Sequence, residues 1–576
     1  MKNIATSSYD FKSIIDNGAV YVDKTKYIYE LVKDEVDARY FIARPRRFGK
    51  SLLLSTLSAL FQGEKEYFNG LDIERTEYDF AKRYPIVHLD LTTALAESVA
   101  DVESALRAMV AGCAEPYGVR LEKEFASSAS VMLAALIRQL AAGSDSGKVV
   151  VLVDEYDAPV TRFIDNPAEC DAVRAKMHDF YVQLKVCDSK IRFLFMTGVS
   201  KFAKLSVFSG LNNLVDLTLD AKFAGMLGYT HDDIDKFLRE HVGAYAGKTG
   251  KTYDDAKAQL IEWYDGYRFS PDSDVRVCNP VSLGSALKDG AVKNYWAATG
   301  NISLIYRALK ERIMLPDELN GLKMSLMELD TCFDRTLKME PLLAQTGYLT
   351  IEKVCESGEL ELRVPNREVA EALDGGFLDF ALGGASKEIL AGIDEARAKL
   401  LNGVRFEDII MKTLRAAFAL VPYEWVCADE AEAKRMFLFF CKFLGARINP
   451  EVESSIGRAD AILELKDVVY IMEFKYDHTA EAALDQIDDR HYADAFLDDP
   501  RPLYKVGVNY NSKRRNIDAP MIVRQNDAGE MGASGPTGPY EGESQTALPP
   551  KSDPKAYTAK NDEGVPGPII EGGGEL

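Results

Sequence analysis

Ten residues near the start of the chain, Ile42-Ala43-Arg44-Pro45-Arg46-Arg47-Phe48-Gly49-Lys50-Ser51, combine the side chains needed to hold a phosphate. Gly49 lets the backbone approach an anion closely. The apolar helix expected from Ser51 through Leu57 would aim its first N–H groups at that anion. Lys50 offers a point charge for the β- and γ-phosphates, and the Ser51 hydroxyl suits Mg²⁺. Arg46, Arg47 and Phe48 fall in the same loop and are candidates for contact with the nucleotide. Arg44, Arg46 and Arg47 together make a basic patch that fits nucleotide phosphate. Arg44 also stands where the pattern G-x-x-x-x-G-K-[ST] has its first glycine.

Further along, Lys148 precedes the apolar β-formers Val149 to Val153, and Asp154-Glu155 follow at once. Such a run suits a central parallel strand. Carboxylates at its C-terminal end fall where open α/β sheets bind ligands. Asp154 is expected to hold Mg²⁺ through water, and Glu155 to polarise an attacking water. Thr197 ends another apolar run, Ile191 to Met196, and could probe the γ-phosphate from a neighbouring strand.

A second constellation lies near the C-terminus. Ala459-Asp460-Ala461-Ile462-Leu463-Glu464-Leu465 is expected to be a strand, Lys466-Asp467 a turn, and Val468 to Lys475 the returning strand. Glu473 and Lys475 differ by two positions and so share one face of the sheet. The hairpin brings Asp460 near that face. Two carboxylates make a hard-oxygen site for Mg²⁺ or Mn²⁺. Such an ion activates water and steadies a phosphate leaving group while a lysine offsets developing charge.

These residues need a scaffold. Residues 1 to about 220 alternate strand and helix patterns, which predicts a parallel sheet with helices on both faces; Pro85 to Leu91 supplies another strand. From about 225 to 330 the pattern is helical: Thr230 caps one helix, Gly266 follows the end of another, and Asn279-Pro280 opens a third. Strand character returns over Leu342 to Val364, with a hairpin at Ser357-Gly358. A long helical segment, about 366 to 420, leads to the second site. The fold class is α/β throughout: a phosphate-loop ATPase domain over 1–222, a helical lid or linker over 223–330, a connecting region with short strands over 331–400, a domain with the second site over 401–522, and a disordered tail over 523–576. That tail is rich in Gly, Pro, Ser, Glu and Lys and cannot bury enough apolar surface to offset its ordering entropy.

The chain has 576 residues, 47% of them hydrophobic, enough for several cores. No run of about 18 apolar residues predicts a membrane span, and the first residues lack the apolar core of a signal peptide. Eight scattered cysteines point to reduced, mostly buried thiols and a cytoplasmic protein. Six unclustered histidines argue against a zinc site. The net charge of −21 weakens non-specific DNA binding, which depends on Lys and Arg displacing counterions. Lys513-Arg514-Arg515 is a second local basic patch.

In order along the chain, several segments resemble the AAA-ATPase-like proteins that carry a C-terminal PD-(D/E)xK nuclease domain. They are Tyr21 to Thr25, Arg44 to Ser51, Asp154 to Asp157, Thr197 to Phe202, Phe208 to Leu214 and Tyr264 to Phe269. The resemblance covers roughly residues 10 to 520, and this family itself carries Arg at the position of Arg44. Gly457-Arg458-Ala459-Asp460 and Glu473-Phe474-Lys475 match its nuclease motif. Gln486 matches a helix motif after the lysine, and Glu432 the helix acid that precedes the core, with Met436 lying near the place of an absent histidine; the resemblance implies that the domain over 401–522 is restriction-endonuclease-like. The resemblance implies a bacterial protein with two activities: ATP hydrolysis through Lys50, Ser51, Asp154 and Glu155, and DNA hydrolysis through Asp460, Glu473, Lys475 and Gln486. ATP, Mg²⁺ or Mn²⁺, and DNA are the expected ligands, and no membrane is expected. The alternative is a nucleotide-switched signalling or binding protein whose second domain only holds a partner.

Overall fold

The computed structural model describes residues 1–525 and 531–532, apart from 36–37, 95–96, 122–127, 165, 202–212, 297–318, 331–332, 335, 338, 382–391, 393–394, 396–412, 422–426, 444–446, 454–457, 465–467 and 497–498. Most of the expected tail, together with Phe202 and 208–212, lies outside the described residues.

The N-terminal sheet has five parallel strands: β1 (Arg39–Ala43), β2 (Ile86–Asp90), β3 (Val149–Asp154), β4 (Ile191–Gly198) and β5 (Val215–Asp216), in the order β2-β3-β4-β1-β5. Alternate residues face opposite ways along a strand. Val149, Val151 and Val153 therefore enter one core with helices α2 (Val99–Ala114), α3 (Ala129–Ala142) and α4 (Pro167–Val186). Val150 and Leu152 enter the other, with Leu53, Leu54, Leu57 and Phe61 of α1 (Lys50–Phe61). Each such side chain contributes roughly 1.5–3 kcal/mol on burial, so the sheet is gripped from both faces and its strand ends are fixed. The two-residue β5 was not among the expected strands.

Among the described residues four helices follow: α5 (His231–Phe237), α6 (Arg239–Thr249), α7 (Tyr253–Tyr264) and α8 (Pro280–Asp289). Thr230 and Asp233 form a capping box on α5, and Asn279 caps α8. The same Asp233 receives Lys24 Nζ at 2.5 Å, and Lys24 also reaches Gly225 O at 2.8 Å, so the N-terminal segment is tied to the helical region. Between α7 and α8 a short hairpin, β6 (Tyr267–Arg268) with β7 (Arg276–Val277), turns back toward the sheet.

A three-stranded antiparallel sheet comes next: β8 (Leu322–Met324), β9 (Thr350–Val354) and β10 (Leu360–Arg363), ordered β9-β10-β8. Gly358 takes φ 82° in the β9–β10 turn, as the expected Ser357-Gly358 hairpin requires. Helix α9 (Arg367–Ala381) leaves this sheet.

The C-terminal sheet contains β11 (Arg447–Glu453), β12 (Arg458–Glu464), β13 (Val469–Tyr476), β14 (Leu503–Asn511), β15 (Asn516–Ile517) and β16 (Met521–Gln525). β13 and β14 are parallel, and the pairs β11–β12, β12–β13, β14–β15 and β14–β16 are antiparallel. Helix α10 (Glu430–Phe443) precedes the sheet, and α11 (Ala480–Asp489) makes the crossover from β13 to β14. A Cβ at Gly507 on β14 would lie 2.0 Å from Ala480 O, so only glycine lets α11 settle this low. The tail boundary at 523 is corrected: Val523 to Gln525 belong to β16, because Met521-Ile522-Val523 are β-formers that pair with β14. Among the described residues no helix is long and apolar enough to cross a membrane. The seven described cysteines are free thiols, five of them buried.

Candidate functional sites

The phosphate loop runs from β1 into α1 through two left-handed residues, Arg47 (φ 69°) and Gly49 (φ 93°). Gly49 is the N-cap of α1 and provides no side-chain cap, so the first-turn N–H groups of α1 are left for an anion. β4 lies between β1 and β3, which brings three strand ends together. The Asp154 carboxylate receives Ser51 Oγ at 2.5 Å on one oxygen and Thr197 Oγ1 at 2.5 Å on the other. Lys50 is nearly buried. Its Nζ donates to Arg44 O (3.0 Å) and Pro45 O (3.2 Å) and lies 3.2 Å from Glu155 Oε1. Burial raises the Glu155 carboxyl above the usual carboxylate range, and the Lys50 charge opposes that rise. Glu155 has φ 50°, held there as the chain turns out of β3.

Lys50, Ser51, Asp154, Glu155 and Thr197 are thus brought together. Arg46 is exposed and Arg47 half-buried on the loop. The Phe48 side chain is 1% exposed, with its ring 4.8 Å from Tyr267 and 5.3 Å from Phe269, while its backbone stays on the loop. An aromatic side chain on this loop gains more from the core than from solvent. Arg44 also leaves the basic patch. Its guanidinium donates to Thr218 O (2.6 Å) and Ala43 O (3.0 Å) and stacks 4.1 Å over Phe269. Burial lowers its pKa to about 9. Arg44 therefore pins the loop from behind.

Tyr267, Arg268 and Phe269 form the wall behind the loop, and their own supports lie downstream. Thr350 Oγ1 accepts from Arg268 N (2.7 Å) and donates to Arg268 O (3.1 Å), while Arg268 Nη1 donates to Glu352 O (3.0 Å). Asn366 Nδ2 donates to Asp265 O at 2.8 Å. Glu368, in the first turn of α9, is fully buried and accepts from Tyr295 N (2.8 Å) and Trp296 N (3.0 Å). Burial lifts its carboxyl to about 7, opposed by these hydrogen bonds and by the charge of Arg47.

At the second site, β12 and β13 bring the carboxylates together. Asp460 Oδ2 accepts from Phe474 N at 2.9 Å, so Asp460 lies beside the strand that carries Glu473. Glu473 is 2% exposed; Gln486 Nε2 of α11 donates to its Oε1, and Lys475 Nζ lies 3.7 Å from the same atom. Burial first, and then the Asp460 charge, raise the Glu473 carboxyl to about 7. Its Oε2 is buried without a hydrogen-bond partner. An orphaned buried carboxylate oxygen fits a cation. Among the described residues no cluster of three or more His, Cys, Asp or Glu is placed to hold a metal. An ion here would rest on two carboxylates and complete its shell with water and phosphate oxygens, as Mg²⁺ commonly does.

Glu432 is placed elsewhere. Its Oε2 accepts from Ala428 N (2.7 Å) and its N donates to Asp429 Oδ1 (2.9 Å), which caps α10. Met436 is buried in the core. Lys434 stands by Asp460 instead, with Nζ 2.8 Å from Oδ1. No local signal could have found it, since the pair is 26 residues apart in sequence.

Two family models match, in the same order as the two sites. One, described as a predicted AAA-ATPase, covers residues 5–208; the other, the PD-(D/E)XK nuclease superfamily, covers 428–519. An uncharacterized protein in the vnfD 5' region of Azotobacter chroococcum mcd 1 is 30% identical over 516 residues, which span 86% of this chain and 94% of that protein. The chain belongs to the AAA-ATPase-like family with a C-terminal PD-(D/E)XK domain. No solved structure matches it. In this AAA-ATPase-like chain the two matched regions contain the phosphate-loop cluster and the Asp460–Glu473 cluster respectively.

Proposed function

We propose that the chain hydrolyses ATP at its first site and uses a divalent metal to cleave DNA phosphodiester bonds at its second. It is a nucleotide-binding protein with a nuclease-like domain; the catalytic roles are the further step. At the first site Lys50 would leave Glu155 for the β- and γ-phosphates, and Glu155 would then be free to orient water. Ser51 and Asp154 would hold Mg²⁺, and Thr197 would follow the γ-phosphate from β4.

At the second site Asp460 and Glu473 would hold Mg²⁺ or Mn²⁺, which supplies a Lewis acid for water and for the leaving oxygen. Lys475 faces the same point and offsets charge on the phosphate. Gln486 fixes one Glu473 oxygen and leaves the other for the ion. The observation that carries this reading is the buried, unpartnered Glu473 Oε2 amid Asp460, Lys475 and Gln486. A domain that only held a partner would gain nothing from it.

Nucleotide state is proposed to govern the nuclease. Support comes from the packing of Phe48 and Arg44 on the Tyr267–Phe269 wall, and from that wall's bonds to Thr350 and Glu352, on the chain that leads to the second domain.

The test is the full chain with single- and double-stranded DNA and with RNA, at low ionic strength because the chain is acidic. ATP and Mg²⁺ or Mn²⁺ are added or withheld. Metal-dependent cutting that Glu473→Ala abolishes is expected. Failure to cut any substrate would favour a nucleotide-switched binding protein.

A further inference from the structure

The nuclease-like site holds one cation more than its motif calls for. Helix α10 delivers it: Phe437 packs its ring edge-on against Phe474 at 4.6 Å, and Lys434, one turn earlier on the same face, reaches Asp460. Both Asp460 oxygens are then engaged, Oδ1 by Lys434 Nζ at 2.8 Å and Oδ2 by Phe474 N at 2.9 Å. The Lys434 and Asp460 side chains are 17% and 18% exposed, so their attraction is screened less than that of a surface pair. Lys475 is differently placed. It donates to Phe474 O at 2.9 Å and stands 3.7 Å from Glu473.

We propose that Lys434 is a charge-switching residue: it neutralises Asp460 at rest and passes to a nucleic-acid phosphate when metal and substrate enter. The inference rests on the nuclease reading above. With both carboxylates ionised, as a bound metal requires, two lysines and two carboxylates balance in the site. A divalent ion added to this set leaves an excess of two positive charges a few ångströms apart, which opposes metal binding. A phosphodiester removes the conflict, because its oxygens offer Lys434 a new anionic partner. Lys434 thus makes metal and nucleic acid bind cooperatively and keeps the metal site weak until substrate arrives. The reciprocal effect follows from linkage.

The experiment uses the full chain. Mn²⁺ binding is followed by electron paramagnetic resonance without nucleic acid or nucleotide, with Glu473→Ala as the reference that removes the site. Lys434→Gln is expected to tighten Mn²⁺ binding on the order of tenfold. The same variant, saturated with Ca²⁺ as a non-cleaving stand-in for Mg²⁺, should bind a labelled DNA duplex more weakly than the wild type and with a salt-dependence slope lower by about one, the signature of one lost phosphate contact. Lys434→Arg should stay near the wild type in both. A lysine that only supported the fold would move both affinities downward together.

Mn²⁺ affinity that is unchanged or weaker in a natively melting Lys434→Gln overturns the inference; if the wild type still binds Mn²⁺ and cuts, the nuclease reading survives. Absence of Mn²⁺ binding in the wild type and in every variant overturns both. Should Lys434→Gln fail to fold, Asp460→Asn decides, because it releases Lys434. Tighter metal-free DNA binding by Asp460→Asn supports the switch, and unchanged binding overturns it.

Discussion

Lys50 Nζ lies 3.2 Å from Glu155 Oε1, so the cation expected to meet phosphate is held by the carboxylate expected to orient water. On the proposed roles, nucleotide draws Lys50 from this pair, and the pair competes with ATP. Glu155→Gln should bind a fluorescent ATP analogue at least as tightly as the wild type while phosphate release falls by about a hundredfold or more. Lys50→Ala should lose both binding and turnover. Equal ATPase rates in wild type and Glu155→Gln would remove Glu155 from the chemistry.

Phe48 separates loop packing from ligand contact. With its ring against Tyr267 and Phe269, Phe48→Ala should cost the nucleotide-free protein about 3–5 kcal/mol, as large core truncations do. Thermal melting without nucleotide measures this. An unchanged melting temperature would mean that the ring is not held in the core.

Glu368 predicts a pH dependence. Its carboxyl is raised from 4.5 to about 7 in the folded protein. Between those values the folded state binds more protons than the unfolded state, so this residue's effect on stability becomes less favourable as pH rises from about 4.5 through 7. Glu368→Gln keeps an acceptor for Tyr295 N and Trp296 N and carries no charge. It should match the wild type near pH 5 and exceed it at pH 8 by about 1–3 kcal/mol. Melting curves across pH test this. A gap that is independent of pH would contradict the raised carboxyl.

Coupling between the sites is read from crossed variants. Glu473→Ala should end DNA cleavage and spare ATPase, since its side chain lies in the C-terminal sheet. Lys50→Ala leaves Asp460, Glu473 and Lys475 in place, so altered cutting by this variant would come from the ATP site. Wild-type cutting by Lys50→Ala, with or without ATP, would end the gating proposal and leave the nuclease standing.

The sequence by itself determined the elements whose patterns are local. Val149 to Val153, bounded by Lys148 and Asp154, suits a strand buried on both faces, and Glu473 and Lys475 share a face because strand period is two. Gly49 before Lys50 and Ser51 marked the turn from strand into helix. Tertiary structure alone decided what depends on contacts distant along the chain. The order β2-β3-β4-β1-β5 places Thr197 on Asp154, and no local pattern encodes strand order. β5 has two residues, too few to show a period. Phe48 and Arg44 look like loop residues in sequence; they turn inward because Tyr267 and Phe269, more than 200 residues later, offer aromatic faces. Lys434 joins Asp460 because α10 folds over β13, which places a charge that sequence spacing would have left on an exposed helix.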